Sequence, residues 1–350
     1  MIRIIAEIIE SSDRERPADA TMRRVLKARK SIDAATAREI AGAVFAYYRW
    51  FGWLNLHDAV AKQIRQAQEL DRNPPADLRR ASPEWVKDEV ELTSEWLRSL
   101  QEKPRVWIRA RRGQGAVLAE QLHDCKLGPI ADSLEYRGNQ DLFSTPQFKA
   151  GEFELQDIAS QMVGLACNPK PTETWWDACA GEGGKLLHLS DLMQNKGLIW
   201  ASDRAQWRLD RLKRRAGRAC VFNYRSVLWD GGPRLPTKTK FDGILIDAPC
   251  SGIGTWGRNP QARWTLTQQD VTELKQLQIQ LIGNAAPALK PGGRLIYSVC
   301  TLARSETADV IRTVEPLLGP PQITWLWPQE TKGNGMFIAL WEAKNKKAGS

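Results

Sequence analysis

Two apolar runs in this chain, FDGILIDAPC and GRLIYSVC, each end on a cysteine, and an acid, Asp247, stands three positions before the first of them, Cys250. Cys300 closes the second run. A thiolate can add to carbon 6 of a cytosine ring and turn carbon 5 into an enamine able to attack a methylsulfonium. An acid at ring N3 must absorb the developing charge, which a protonated Asp247 in a dry pocket can do. A base must then remove the hydrogen on carbon 5 so that the first thiol can leave. One thiol suits the nucleophile and the other its release. An ordinary thiol has a pKa of roughly 8.5, so the nucleophile needs nearby positive charge, and Lys185 is the candidate. Most buried cysteines are small hydrophobes, the reading given to Cys125, Cys167 and Cys220.

The elements that must position this chemistry alternate along the second half of the chain. Strands TWWDAC, GLIWASD, ACVFNY, FDGILIDAPC and GRLIYSVC are separated by helices, among them a long one between the two thiols. A last helix, SETADVIRTVEPLL, leads to strands ITWLW and MFIALWEA. Apolar strands alternating with helices make a parallel sheet covered on both faces. A strand–helix–strand connection commonly returns its second strand beside the first, at roughly 4.8 Å. Ligands bind at the carboxyl ends of such strands. Cys250 and Cys300 are therefore expected to face one pocket, with Asp247 beside them.

DACAGEGGK, residues 177–185, follows a strand and opens a helix. Its glycines let backbone amides approach a ligand, and the helix start supplies N–H groups. The next strand ends on Asp203, where an acid can accept hydrogen bonds from both hydroxyls of a ribose. The loop lacks the full Gly-x-Gly-x-x-Gly of a dinucleotide site. Asp177 suits a cationic amine better than a pyrophosphate, which favours S-adenosylmethionine. The candidate cofactor residues here are Cys179, Ala180, Gly181, Glu182, Gly183, Gly184, Lys185, Asp203 and Arg208.

Composition bounds the alternatives. The 350 residues carry a net charge of +9, pointing to a polyanionic partner. Six cysteines form no Cys-x-x-Cys pair, so reduced thiols in a cytoplasm are expected, with no metal site. No apolar stretch approaches the ~20 residues of a membrane span. Of three histidines, none lies near either strand-end cysteine in sequence, which disfavours a Cys–His hydrolase. His188, one turn into the helix after the loop, reads as packing. The basic run RAQWRLDRLKRRAGR is open between a solvated helix face and an RNA-facing patch. Most of the fifteen tryptophans read as core, with Trp256 and Trp264 as candidates for stacking on bases. Residues 1–100 read as helical, one helix running roughly from Trp85 to Leu100.

DAPCSGIGTWGRNPQARW with YSVCTLARSE, DACAGEGGK and GEFELQDIASQ resembles the Nol/Nop/Sun RNA cytosine-5 methyltransferases over about residues 140–343. The resemblance implies Cys300 as nucleophile and Cys250 as the aid to release, with Asp247 and Lys185 beside them. It implies a signature at Gln156, Asp157 and Ser160, and Arg258, Pro260 and Arg263 flanking the target base. It further implies a Rossmann-like class I methyltransferase sheet (residues 151–343), a small α/β linker subdomain (101–150), an all-helical NusB-like RNA-binding domain (1–100) and a tail (344–350). The expected activity is formation of 5-methylcytosine in RNA by a cytoplasmic monomer. Small-subunit ribosomal RNA is favoured over transfer RNA, and a catalytically silent RNA-binding factor on the same fold is the alternative. Glu182 stands where the family has Pro, Asn223 and Arg225 where an Asp reads the adenine, and Thr301 where Ser is usual.

Overall fold

The computed structural model describes residues 1–29 and 31–344; the expected tail lies, from 345 on, outside the described residues. Two compact units emerge: 1–104 with 252–270, and 105–251 with 271–350. The first unit therefore takes in residues 252–270, which the sequence reading keeps within 151–343.

In the helical unit, apolar residues at three- and four-residue spacing form helices Ile2–Glu10, Ala18–Lys27, Ala34–Arg49, Val60–Arg72 and Ser94–Ser99. Asp33 starts the third of these by accepting from the Thr36 amide at 2.7 Å, which satisfies an otherwise orphaned donor. Ile5, Ile8, Ile40, Val44 and Ile64 fill the core. The single helix expected over Trp85–Leu100 is instead a 3-10 turn, Glu84–Asp88, followed by Ser94–Ser99. Thr93 accepts from the Trp96 amide at 3.2 Å, and that cap starts a new helix.

Residues 252–270 are bound into this unit by polar side chains turned inward. Arg263, fully buried, donates to the carbonyls of Ala81 at 2.7 Å and Leu100 at 3.0 Å. Burial, aided by the charge of Arg49, pulls its pKa down to about 9. Trp264 Nε1 donates to the Tyr48 carbonyl at 2.6 Å, and its ring packs on Phe51. Trp256 is fully buried. The expectation that Trp256 and Trp264 stack on bases is thus corrected: both rings are committed to the helical core. Arg263 is committed likewise, whereas Arg258 is exposed.

The second unit contains two sheets. The smaller is antiparallel, built from β1 (Val106–Ala110), β2 (Cys125–Leu127), β3 (Ser133–Tyr136) and β4 (Phe153–Leu155) in the order β2-β3-β1-β4. The larger uses β5 (Thr174–Asp177), β6 (Leu198–Asp203), β7 (Tyr224–Leu228), β8 (Phe241–Asp247), β9 (Leu289–Val299), β10 (Gln322–Leu326) and β11 (Met336–Glu342). Its order is β10-β11-β9-β8-β5-β6-β7. Strands β5 to β9 run parallel, and β11 pairs antiparallel with both β9 and β10. Both faces are covered, so consecutive residues are apolar: Trp175 packs with Leu187, Ile199 and Leu245, and its neighbour Trp176 with Ile244, Tyr297 and Trp229 on the other face. This is the expected Rossmann-like methyltransferase sheet with a helical N-terminal region. Among the described residues no helix is long and apolar enough to cross a membrane.

One strand sits elsewhere in the sequence than expected. The third parallel strand is Tyr224–Leu228, not ACVFNY. Val221 is buried but turns the chain, its amide bonding the Ala216 carbonyl at 2.9 Å as the preceding helix closes.

Candidate active site

The two thiols converge. Cys250 Sγ and Cys300 Sγ lie 3.3 Å apart, although 50 positions separate them in sequence. Strands β8 and β9 are parallel neighbours with Asp247 opposite Ser298, so the residues that follow them leave the sheet side by side. Both cysteines are half-buried. Asp247 accepts from Ser298 Oγ at 2.8 Å and from Lys185 Nζ at 2.6 Å.

Lys185 lies in the first turn of helix Gly184–Leu192 and is nearly buried. Burial alone would lower its pKa, but the charge of Asp247 and the hydrogen bond to it outweigh that and raise it; Cys300 and Asp177 push the same way. Lys185 thus stays an ammonium within electrostatic reach of Cys300. Asp247 has this cation as its partner, in place of the dry, apolar pocket that the sequence reading anticipates.

The candidate cofactor loop is shaped by two glycines in the left-handed region, Gly181 at φ +55° and Gly183 at φ +86°. A Cβ on Gly183 would come within 2.8 Å of Leu212. Gly183 caps helix Gly184–Leu192 with no side-chain bond, leaving the amides of the first turn available to a ligand. The Gly181 amide donates to Asp203 Oδ2 at 3.1 Å, the Ala205 amide to Oδ1 at 2.9 Å, and Arg208 approaches the same carboxylate at 3.6 Å. Cys179 is partly buried, and burial followed by the charges of Asp177, Asp247 and Asp203 keeps its thiol protonated. Glu182, the family departure, accepts from Arg211 at 2.6 Å on the outer side of the loop. Arg215 and Arg218 bind Glu154, so three cations of the basic run hold the fold together.

Asn223 does not join this group. It lies just before β7, whose Tyr224 is level with Ile199, while Asp203 is level with Leu228 at the other end. Five residues, about 16 Å of strand, separate Asn223 from that end. Its side chain accepts from Ser190 Oγ at 2.7 Å and donates to the Lys196 carbonyl at 2.8 Å. The acid at the carboxyl end of β7 is Asp230, exposed and accepting from the Gly232 amide at 2.8 Å. Sequence reasoning missed it by starting the strand too early. The signal was there: VLWDGG repeats the apolar-run, acid, glycine pattern already used for Asp177.

The signature before the first parallel strand acts as a bracket. Gln156 accepts from Arg109 Nε at 2.7 Å and donates to the Gly184 carbonyl at 3.2 Å, tying the small sheet to the cofactor loop. Arg109 in turn binds Asp191 at 2.8 Å. Asp157 caps helix Ile158–Cys167 through the Ala159 amide and also accepts from the Asn334 amide at 2.9 Å. His188 packs beneath Gly164, buried and held neutral by that burial, with Arg109 and Lys185 pushing the same way.

Asp177 is the surprise. Both its carboxyl oxygens are buried with no hydrogen-bond partner. Burial, and then the charge of Asp247, push its pKa up to about 8 from 3.8. Burial thus favours its protonated form. The folded chain therefore keeps a proton that the unfolded chain releases near pH 4. Between about pH 4 and 8 the native state binds more protons, so stability falls as pH rises, by up to about 1.4 kcal/mol per unit. Asp177→Asn, isosteric and always neutral, is expected to remove that slope in denaturant unfolding at pH 5, 6.5 and 8. An unchanged slope would mean that Asp177 is ionised in the fold.

A profile of the 16S rRNA methyltransferase RsmB/F family matches residues 164–317. A Synechocystis sp. protein named "Probable ribosomal RNA small subunit methyltransferase B" is 40% identical over 164 residues, 46% of this chain and 36% of its own length. Ribosomal RNA small subunit methyltransferase B of Shewanella oneidensis is 30% identical over 281 residues, 74% of this chain and 63% of its own. The chain thus spans about a third of the first relative and under two thirds of the second. The crystal structure of PH0851 shares the fold, with a TM-score of 0.80 at 23% identity over 97% of each chain. Family profile and relatives agree that the second half of this chain is similar to the RsmB/F methyltransferases, on a fold shared with PH0851.

Proposed function

We propose that this protein transfers a methyl group from S-adenosylmethionine to carbon 5 of a cytosine in small-subunit ribosomal RNA, through a covalent bond to Cys300. The observation that carries the reading is the 3.3 Å approach of Cys250 and Cys300 beside the Lys185–Asp247 pair. The relatives' names favour ribosomal over transfer RNA, and the +9 charge suits a polyanion.

The loop 179–184, Asp203 with Arg208, and Asp230 fit a nucleoside cofactor without phosphates: backbone amides at a helix start, and acids at two strand ends to accept from hydroxyl or amino groups. S-adenosylmethionine, when bound there, supplies an electrophilic methyl group. Cys300 adds as thiolate to carbon 6 of the ring, and the displaced electron pair moves toward carbon 5 and N3. The Lys185 ammonium, hydrogen-bonded to Asp247, supplies through that carboxyl the proton that N3 takes up as the charge develops. After carbon 5 is methylated, Cys250 as thiolate takes its proton, the double bond between carbons 5 and 6 re-forms as the carbon–sulfur bond breaks, Cys300 leaves as thiolate and N3 returns its proton to the Lys185–Asp247 pair.

The test is incorporation of tritiated methyl groups into small-subunit ribosomal RNA, followed by digestion to nucleosides. Label in 5-methylcytidine is expected. Label confined to transfer RNA would reassign the substrate, and tight cofactor binding without any label would leave an RNA-binding factor.

A further inference from the structure

We infer that Glu306 is a positioning residue that clamps the two thiol-bearing loops together through the residues next to Cys250 and Cys300. Its carboxylate is buried and accepts from the Ser251 amide at 2.9 Å, from the Ser251 hydroxyl, and from Gln278 Nε2 at 2.9 Å. The Ser251 hydroxyl lies 2.8 Å from the Thr301 hydroxyl, which also bonds Glu306. Ser251 directly follows Cys250, and Thr301 directly follows Cys300. Gln278 reaches the other side of Cys250 as well, donating to the Pro249 carbonyl at 2.9 Å. The Glu306 backbone is anchored in turn, its carbonyl accepting from Tyr297 Oη at 2.7 Å.

A carboxylate this deeply buried is costly unless its oxygens are satisfied, and here its bonds converge on the two loops. The strands alone do not bring the sulfurs together. Asp247 and Ser298 are paired in the sheet, but the cysteines lie two and three residues beyond it, where no ladder bond controls the separation. The clamp does what the ladder cannot. It also explains why Thr301 can replace Ser: the hydroxyl is the working group, and both residues carry it.

The catalytic consequence rests on the two-thiol reading above; the separation of the sulfurs does not, and a trivalent arsenical reads that separation directly. Phenylarsine oxide bridges two thiols only when both reach one arsenic atom. The wild-type chain is expected to bind one equivalent tightly, and Cys300→Ala to lose that binding. Glu306→Ala is expected to weaken it by about tenfold or more, with all thiols still titrating in denaturant, and Glu306→Gln to recover part of the loss. In methylation assays Glu306→Ala should lower kcat by about 10²-fold, as for an ångström-scale misplacement, with the KM for RNA little changed. Should Glu306→Ala fail to fold, Ser251→Ala, which removes the hydroxyl joining Glu306 to Thr301, decides the matter and is expected to weaken arsenical binding by at least threefold. Wild-type arsenical affinity in a folded Glu306→Ala, or in Ser251→Ala if that is the variant that folds, overturns the clamp. Weakened binding in variants of a chain that methylates nothing would leave the clamp standing and remove the proposed function instead.

Discussion

Cys250→Ala protein given substrate RNA and S-adenosylmethionine is expected to run on denaturing gels as a covalent protein–RNA species, whereas Cys300→Ala forms neither adduct nor product. The asymmetry follows from the order of bonds. Cys300 makes the carbon–sulfur bond, so its loss removes the first step and should lower methyl transfer by about 10⁴-fold or more. Cys250 acts after that bond exists, so its loss leaves the adduct stranded. Both side chains are half-buried and small, so alanine is expected to leave the fold intact, which circular dichroism checks. Unequal behaviour of two sulfurs 3.3 Å apart therefore reports role and not location. Equal, adduct-free loss in both variants would show the roles to be misassigned.

The second large effect is expected at Asp247. Asp247→Ala strands the Lys185 ammonium, whose side chain is 10% exposed against 30% for its partner. Removing one member of such a pair costs about 3–5 kcal/mol, and losing the group that meets charge at the pyrimidine should cost a further factor of about 10²–10⁴ in rate. Asp247→Asn separates the two. Its shape and the bond from Ser298 persist, so thermal stability should fall less, while single-turnover methylation should still drop by about 10². A rate for Asp247→Asn within threefold of wild type would remove Asp247 from the chemistry.

The placement of much of the candidate site was legible in the residues, for a definite reason. A parallel sheet presents its functional side chains just past the strand ends, so acids and thiols that close apolar runs are readable without coordinates. Asp203, Asp247, Cys250 and Cys300 were all read that way as strand-end residues, and the structure has each at or just past a strand end. The same rule failed at β7 because that strand has exposed polar positions, Arg225 and Ser226. The buried Val221 just upstream imitated it. That displaced the reading onto Asn223, at the wrong end of the strand, and hid Asp230.

What the sequence determined by itself was most of the order of strands and helices, the glycine-rich turn after the first parallel strand and the placing of two thiols past neighbouring strand ends, because these depend on local patterns of burial, glycine and charge. Only the tertiary structure decided how the reactive groups are held and charged. Asp247 is ion-paired with Lys185, the carboxyl oxygens of Asp177 are buried without a hydrogen-bond partner, Arg263 and Trp256 are fully buried, and Ser251 meets Thr301 and Glu306 across 50 residues or more of chain. Electrostatic environment and convergence depend on which distant groups share a buried volume, and no local pattern encodes that.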